Sequence, residues 1–410
     1  MGLELRWVGD DERDRVAETR MLCYAPARSE LPGYVERLRN DSRVKAGDFL
    51  LAEDNGEPVG TATQIAQTMW VRGGPVRCQG VAHVGTIKTH RRKSSSGQGI
   101  ATLVMNETLR AAREQGFVVS ALMPFRGSFY EKFGYGFVER RKEWTLPMAV
   151  LPKGDFGDIR FYRPADLDAL VSFKQRITEH GHGDIERSRA LWEMYLKAAE
   201  DGHVIVERAS DGAIASFMAF EHEHDPKGPD TIKAWEMIYE DLPALRRQLH
   251  FLASLRDQYS NVKITLPADL RLNLMLAETQ MTHRANRNHP TPEARPFNRM
   301  QVRVLDHAKL LAAMTLPADA KGSAVVAVHE IEGGVSKFAV EIDGGRSTAR
   351  PSDASPQVEM PDRVWAPVVF GDLAATEAQR LGLLTARDAH ALSVLDVFSQ
   401  GPAPYCHEYF

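Results

Sequence analysis

The stretch from Val81 to Phe137 constrains the fold of this chain more than any other. It reads VAHVGTIKTHRRKSSSGQGIATLVMNETLRAAREQGFVVSALMPFRGSFYEKFGYGF. Its β-branched and apolar residues predict a strand over Val81–Ile87, and the amphipathic run TLVMNETLRAAREQG predicts a helix. A second strand, Phe117–Leu122, follows the helix. The order of these elements indicates one half of a mixed α/β domain.

The turn between the first strand and the helix is suited to binding phosphate. It reads HRRKSSSGQGIA, from His90 to Ala101. Small residues let backbone N–H groups approach a pyrophosphate, and the helix N-terminus adds a favourable dipole. The neighbouring Arg and Lys side chains can pair with phosphate groups. The segment is not a Walker A loop, because no Gly-Lys-Ser/Thr follows its glycines. A solvated Ser-rich loop is the alternative.

With one further motif, this stretch resembles the coenzyme-A site of the GCN5-related N-acetyltransferases, the GNAT family. The further motif is FYEKFGYGF, from Phe129 to Phe137. The resemblance implies transfer of an acetyl group from acetyl-CoA to an amine. It also implies that Tyr130 lies beside the CoA sulfur, where a phenol can give a proton to the departing thiolate. A packing role at the rim of the core is the alternative for Tyr130.

The resemblance assigns the remaining cofactor contacts as well. In the GNAT fold the first strand of the stretch is splayed from its neighbour, and its free N–H groups can stabilise charge on the thioester carbonyl. Val84, Gly85 and Thr86 match that position, and a glycine within a strand marks a bulge or a close approach. The other residues expected to bind acetyl-CoA are Arg91, Arg92, Ser96, Gly97, Gln98, Gly99, Ile100, Ala101, Phe125 and Arg126. Ser96 departs from the family pattern, which has Arg or Gln there, and the KSSS run implies an insertion.

Length and turn signals divide the rest of the chain. Its 410 residues exceed what one hydrophobic core organises. We expect units at 1–147, 148–297 and 298–410. The second unit echoes the first but has no Gly-rich basic turn, so we expect no second cofactor site there. His283–Arg299 holds three prolines and four arginines and predicts a linker.

The layout of all three units resembles, more narrowly, the Eis family of enhanced intracellular survival proteins. Length, the THRR run and the FYEKFGYGF motif agree with it. The fold class implied is α/β (α+β) and multidomain. It consists of tandem GNAT-like mixed sheets flanked by helices, followed by a C-terminal sterol-carrier-like α+β domain. The family also implies a homo-oligomer, a hexamer.

In Eis-type enzymes the C-terminal carboxylate is the general base that removes a proton from the attacking amine. This chain ends PYCHEYF, and Phe410 matches that position. Simple packing of an aromatic terminus is the alternative. The resemblance implies cationic substrates, such as aminoglycosides or polyamines, or lysine side chains of proteins. Glu408 is a candidate to bind further ammonium groups, whereas Tyr409 stands where the best-known members have an acid.

Several other classes of protein are disfavoured. A net charge of −4 argues against a protein that coats nucleic acid. Three widely spaced cysteines form no disulfide framework. No apolar run approaches the roughly 20 residues that span a bilayer, and no secretory signal is visible. We therefore expect a soluble cytoplasmic protein that acts on a small-molecule amine, without a nucleic acid or membrane partner.

Three alternatives stay open. The EHEHD run, Glu221–Asp225, has ligand-type side chains but no complete ligand set, so we expect a polar hairpin loop and no metal. His83 either lines the cofactor pocket or is an ordinary hydrogen-bonded strand residue. For activity, the alternatives are a protein lysine acetyltransferase and a non-catalytic acyl-CoA or lipid-binding protein.

Overall fold

A computed structural model of the chain describes residues 2–25, 27–91, 99–199, 202–224, 230–279 and 291–410. The strands are β1 (Leu3–Val8), β2 (Phe49–Asp54), β3 (Glu57–Val71), β4 (Gly74–Thr86), β5 (Val119–Leu122), β6 (Gly136–Phe137), β7 (Arg140–Pro147), β8 (Asp158–Phe161), β9 (Asp184–Ile185), β10 (His203–Arg208), β11 (Ile214–Glu223), β12 (Thr231–Tyr239), β13 (Asn261–Pro267), β14 (Glu293–Asn298), β15 (Gln301–Val304), β16 (Gly322–His329), β17 (Val335–Asp343), β18 (Arg346–Pro351), β19 (Val358–Pro361) and β20 (Thr385–Ala386). The α-helices are α1 (Arg13–Tyr24), α2 (Leu31–Asn40), α3 (Ile100–Glu114), α4 (Gly127–Tyr130), α5 (Leu167–His180), α6 (Arg189–Ala198), α7 (Leu242–Ser254), α8 (His307–Ala313), α9 (Asp362–Val369), α10 (Ala375–Arg380) and α11 (Ala389–Asp396).

The chain folds as two compact units. The first comprises Met1–Val138, Met300–Pro402 and Tyr409–Phe410. The second comprises Glu139–Arg299 and Ala403–Glu408. No helix in the described ranges is long and apolar enough to cross a membrane.

The N-terminal sheet of the first unit has the strand order β1-β2-β3-β4-β5-β15-β6. Its first four strands are antiparallel neighbours, and β5 joins β4 in parallel. The Asn55–Gly56 turn between β2 and β3 has positive φ at both residues, as a two-residue hairpin turn requires. An Asn-Gly pair between two apolar runs is the sequence signal typical of such a hairpin.

Helix α3 packs its apolar face on this sheet. Ile100, Val104, Met105 and Leu109 are buried in one core cluster with residues of β2, β3, β4 and β5. Their spacing of three to four residues places them on a single face of the helix. The helix that was predicted from this spacing is therefore confirmed.

The rest of the first unit is a smaller α+β layer. Its sheet has the order β18-β17-β16-β19-β20. Helices α8 to α11 accompany it, and Trp365 and Phe370 are fully buried there. The expected α+β character of the C-terminal region is confirmed.

The second unit is a mixed sheet in the order β14-β7-β13-β12-β11-β10-β8. Strands β12 and β13 are parallel, and the other neighbours are antiparallel. The sheet contributes to two separate core clusters. One includes Phe173 of α5 and Trp192 of α6, and the other includes Leu245 and Leu249 of α7. This arrangement confirms the expected mixed sheet flanked by helices.

Two strands pair in a sheet other than the one that the expected boundaries would give them. Arg140–Pro147 (β7) pairs with β13 and β14 in the second unit. Gln301–Val304 (β15) pairs with β5 and β6 in the first unit. The expected boundaries missed these pairings, because strand pairing is a long-range property that local sequence does not specify.

The linker expected over His283–Arg299 is wrong for its described part. Glu293–Asn298 is strand β14, paired with β7. The sequence argument failed because prolines normally exclude a strand. Strand β14 lies at the sheet edge, where a residue without a backbone N–H is tolerated. Residues 283–290 lie outside the described ranges.

Gly134 provides a test of the packing between the FYEKFGYGF turn and α9. Its φ is +79°, and a Cβ there would lie 2.2 Å from Oδ2 of Asp362. Gly134→Ala would cost about 1–2 kcal/mol for the left-handed backbone and about 1–3 kcal/mol for the overlap. We expect a lower melting temperature than for Gly47→Ala, where φ is +86° but no atom lies within 4 Å. Equal shifts in a thermal melt would contradict this packing.

Candidate active site

Strands β4 and β5 part in the middle of the N-terminal sheet. They pair over Cys78–Gly80 and Val119–Ala121 only. Beyond Gly80, β4 continues to Thr86 with β3 as its neighbour on the other side. Among the residues that the structure describes, the edge of β4 that faces β5 therefore carries no strand ladder after Gly80. Such an edge offers backbone N–H and C=O groups to a ligand.

The parted section of β4 contains a bulge. Thr61 and Thr63 of β3 lie opposite Gly85 and Ala82 of β4, so β4 has one additional residue in this interval. His83 lies in this interval and has a left-handed backbone conformation, with a φ of +53°. Bulges bend a strand and occur often next to active sites. Val84, Gly85 and Thr86, the predicted carbonyl-binding residues, all follow this bulge.

Gly85 allows the end of α1 to approach β4 closely. A Cβ at Gly85 would lie 2.9 Å from Sγ of Cys23 and 2.9 Å from Oη of Tyr24. The Tyr24 hydroxyl donates a hydrogen bond to the carbonyl oxygen of Val84. Desolvation raises the pKa of Tyr24, and the neighbouring Cys23 and Tyr130 raise it further. Burial also raises the pKa of the Cys23 thiol to about 12. No local sequence pattern signals this contact.

Tyr130 is the last residue of α4, and only 5 % of it is exposed. It belongs to the same core cluster as Val84 of β4 and Leu122 of β5. The rings of Phe129 and Phe125 meet it edge to face, at centroid distances of 5.0 and 6.0 Å. Burial raises the pKa of Tyr130 to about 12, so the phenol keeps its proton at neutral pH. A protonated phenol at this place can act as an acid.

A buried hydrogen-bond chain supports the ring behind Tyr130. Tyr135 lies edge to face with Tyr130 at 6.2 Å, and its hydroxyl is 2.7 Å from Oγ of Ser120. Ser120 donates its own proton to Oε1 of Gln79 at 2.7 Å. Because that proton is used, Tyr135 must be the donor to Ser120. This chain fixes the Tyr135 ring and, through it, one wall of the Tyr130 pocket.

The N-terminus of α3 has the properties of an anion site. Gly99 is its N-cap, no side chain caps the described helix, and the first turn has no acidic residue. Among the described atoms, a Cβ at Gly99 would have only Oγ1 of Thr102 within 4 Å, at 3.9 Å. A helix N-terminus of this kind fits a diphosphate, because backbone N–H groups and the helix dipole both favour negative charge. Ile100 and Ala101 form the first turn of this helix.

The other predicted cofactor residues are solvent-accessible or outside the described ranges. Arg91 is exposed and precedes the undescribed segment. Phe125 is 78 % exposed, and Arg126 donates to the hydroxyl of Ser128 at 3.3 Å. Those outside the described ranges are Arg92, Ser96, Gly97 and Gln98.

Phe410 belongs to the first unit, and only 8 % of it is exposed. A Cβ at Gly80 would lie 3.0 Å from Cδ2 of Phe410 and 2.7 Å from Oε1 of Gln67. Gly80 is also the last residue of β4 that pairs with β5. Within the first unit, the ring of Phe410 therefore lies at the point where the two strands part. The buried Oε1 of Gln67 has no hydrogen-bond partner in the part of the chain that the structure describes.

Glu408 does not have the free carboxylate that the sequence suggested. It lies in the second unit, is buried, and accepts a hydrogen bond from Nε of Arg187 at 2.7 Å. Arg187 also makes two hydrogen bonds to Glu236, at 2.7 and 3.2 Å. Burial raises the pKa of Glu408, and the Arg187 charge opposes that shift. The Glu408 carboxylate is buried and already paired with Arg187, which argues against a role in binding substrate ammonium groups.

The backbone around Glu408 is held by charged side chains of the second unit. Glu139 accepts from the N–H of Cys406 at 3.1 Å, and Asp184 accepts from that of His407 at 2.9 Å. Arg299 donates to the carbonyl of Glu408 at 3.1 Å. Each buried backbone group in this list has a partner, as an extended segment without a sheet requires. The sequence gave no sign of these partners.

Comparisons with known proteins identify the domains of the chain. Residues 4–138 and 183–304 each match a model of an acetyltransferase (GNAT) domain, and residues 308–407 match a sterol carrier protein domain. An uncharacterised N-acetyltransferase of Streptomyces avermitilis is 25 % identical over 389 residues, which cover 88 % of this chain and 87 % of the relative. The N-acetyltransferase Eis of Mycobacterium tuberculosis is 25 % identical over 372 residues, which cover 86 % of each chain.

Solved structures share the fold over the full chain. A GCN5-related N-acetyltransferase from Anabaena variabilis has a TM-score of 0.83 at 17 % identity, with 100 % of both chains covered. Eis1 from Mycobacterium abscessus has a TM-score of 0.79 at 19 % identity, again with 100 % of both chains covered.

The parted strands and the two matched acetyltransferase domains define the class of this protein, a GNAT N-acetyltransferase. The sterol-carrier domain and the named relatives narrow the assignment. Within the GNAT superfamily the chain is an Eis-like acetyltransferase. Acetyl-CoA is the cosubstrate of GNAT acetyltransferases, and an amine is the acceptor.

Gly80→Ala tests the contact between β4 and Phe410. The added methyl group would overlap with Oε1 of Gln67 and crowd the Phe410 ring, so we expect kcat to fall about tenfold or more. Acetyl-CoA affinity should stay unchanged, since the helix N-terminus is not involved. Gly33→Ala is the matched control, because its Cβ would have only a flexible Arg37 nitrogen nearby, at 3.4 Å. Wild-type kcat in Gly80→Ala would show that the position of this ring does not matter.

Proposed function

We propose that the protein acetylates a primary amine of a small cationic molecule, with Tyr130 as the acid and the carboxylate of Phe410 as the base. Acetyl-CoA, when bound, supplies the acetyl group as a thioester, which an amine cleaves to give an amide and a free thiol. The parting of β4 from β5, with Tyr130 and Phe410 both packed at these strands, is the observation that carries the proposal.

Tyr130 supports the acid role through its protonation state. The departing sulfur needs a proton, and a group can give one only if it holds it at the working pH. Burial raises the pKa of Tyr130 to about 12, so the phenol is a reliable donor across the physiological range. Burial likewise raises the pKa of Cys23 to about 12, which keeps that thiol neutral and a poor nucleophile. These protonation states support direct transfer of the acetyl group to the amine, without an acyl group on Cys23.

The cosubstrate would be held by two features of the first unit. The N-terminus of α3, from Gly99 to Ala101, would bind the diphosphate, with Arg91 close in sequence to pair with phosphate. The backbone of Val84, Gly85 and Thr86 would bind the thioester carbonyl. Tyr24 would fix that backbone, because its hydroxyl already bonds to the carbonyl of Val84.

The base role of Phe410 rests on the position of its ring. An ammonium group must lose a proton before it can attack, and a nearby carboxylate can accept it. The ring contact at Gly80 keeps Phe410 at the parting of the strands. Aminoglycosides and polyamines are the substrates that the resemblance suggests, and a hexamer is the assembly that it suggests.

The direct assay is CoA release from acetyl-CoA with a panel of aminoglycosides, diamines and lysine peptides. Release with any amine that requires the intact protein supports the proposal. Tight acetyl-CoA binding with no release for any amine would contradict it. Release with peptides alone would favour the protein-lysine alternative.

Tyr130→Phe should lower kcat about 100-fold, because it removes the proton donor but keeps the ring. Acetyl-CoA affinity should change little, which isothermal titration would check. The matched control is Tyr34→Phe on α2, a half-buried tyrosine that packs on Arg37. Equal turnover of the two variants would assign Tyr130 to packing alone.

Adding one glycine after Phe410 should also lower kcat about 100-fold, because it moves the carboxylate by one residue. The same glycine at the N-terminus is the control for a general effect of extension. Melting temperature and acetyl-CoA affinity should be those of the parent protein. Full activity of the C-terminally extended protein would remove Phe410 from the mechanism.

A further inference from the structure

Arg43 contacts the peptide bond that joins Tyr409 to Phe410. Its Nη1 donates a hydrogen bond to the carbonyl oxygen of Tyr409 at 3.0 Å. Together with the ring contact at Gly80, this bond holds Phe410 at two points within the first unit. One point fixes the side chain, and the other fixes the plane of the preceding peptide.

Asp41 orients the Arg43 guanidinium. Nε of Arg43 donates to Oδ1 of Asp41 at 2.8 Å, and Nη2 donates to Oδ2 at 2.7 Å. The backbone N–H of Arg43 adds a bond to Oδ1 at 3.0 Å. The side chains of Arg43 and Asp41 are only 21 % and 13 % exposed. Because Asp41 binds two nitrogens of the planar guanidinium, the direction of the third nitrogen, Nη1, is fixed. A lysine ammonium cannot reproduce this geometry.

The groups that face this pair come from α1 and β4. Arg20 of α1 is buried, and it donates to the hydroxyl of Thr63. His83 of β4 carries the left-handed bulge. Desolvation lowers the pKa of His83, and the Arg20 and Arg43 charges lower it further, so its imidazole stays neutral at physiological pH. Asp41 stays ionised, because the bonds from Arg43 outweigh the effect of its burial on the pKa.

We infer that Arg43, oriented by Asp41, is a positioning residue for the carboxylate of Phe410. The inference rests on the proposed base role of that carboxylate. With the ring and the preceding carbonyl held, the carboxylate keeps few rotations, so little conformational entropy opposes its working position. The guanidinium charge also favours the ionised form of a nearby carboxylate.

Arg43→Gln is the main test. We expect kcat to fall about 100-fold, as a misplaced reacting group would cause, with unchanged acetyl-CoA affinity. In the pH profile of kcat/KM, the acidic limb should move to higher pH, because loss of the Arg43 charge raises the pKa of the Phe410 carboxylate. Arg43→Lys should recover little of the rate. The control is Arg39→Gln, which removes an exposed arginine that pairs with Asp14 at 2.8 Å.

Asp41→Asn covers the case in which Arg43→Gln fails to fold. It keeps Arg43 and the volume of the side chain but removes one charged acceptor, so we expect kcat to fall about tenfold as the guanidinium loses its orientation. The acidic limb should move to lower pH, because Arg43 then lacks the negative charge of Asp41 beside it. Wild-type kcat and an unmoved pH profile in a folded variant of either residue would overturn the inference. A lower melting temperature with wild-type kcat per folded enzyme would assign the pair to stability alone.

The C-terminally extended protein separates this inference from the proposed function. In that background Arg43→Gln should have no further effect, because two changes that act through one carboxylate are not additive. An inactive extended protein beside a fully active Arg43→Gln protein would overturn only the role of Arg43. A fully active extended protein would overturn the base role and the role of Arg43 together.

Discussion

The parting of β4 and β5 is the constraint on which the candidate site depends. A continuous parallel ladder between these strands would use the backbone groups of β4 that an acetyl donor needs. The ladder ends at Gly80, and the bulge at His83 then turns the strand. The backbone groups of β4 beyond Gly80 are therefore not used in pairing with β5. Tyr24, Tyr130 and Phe410 all pack against strands at this opening.

Charged groups hold the end of the chain in both units. In the second unit, Glu139, Asp184 and Arg299 bind the backbone of 406–408. In the first unit, Arg43 binds the carbonyl of Tyr409. Buried charges contribute little net stability, because desolvation offsets much of the attraction. Their value here lies in specificity, since a segment outside the sheets would otherwise have no partners to define its path.

The sequence predicted those parts of the site that follow from local pattern. Strand β4, helix α3 and the Tyr130 turn have distinct periodicity or motif spacing, and the structure contains all three. The Asn55–Gly56 hairpin was equally clear, because two consecutive left-handed residues have a recognisable composition.

Other features have no local signature. Helix α2 was not predicted. Its sequence LPGYVERLRN has Pro and Gly in the first turn, and this pair of residues is more typical of a turn than of a helix. In the sequence, Asp41 and Arg43 are two ordinary charged residues after that helix. The proposed role of the pair depends on the contact of Arg43 with Tyr409, which lies 366 residues away along the chain. The Tyr24 contact and the assignment of β7 and β15 to their sheets likewise depend on long-range pairing.

A crystal structure of the protein with bound CoA would test the central claim most directly. The account predicts the CoA sulfur at the parting of β4 and β5, within about 3.5 Å of the Tyr130 hydroxyl, and the diphosphate at the N-terminus of α3. A sulfur beyond hydrogen-bonding reach of Tyr130, or CoA bound in the second unit, would contradict it.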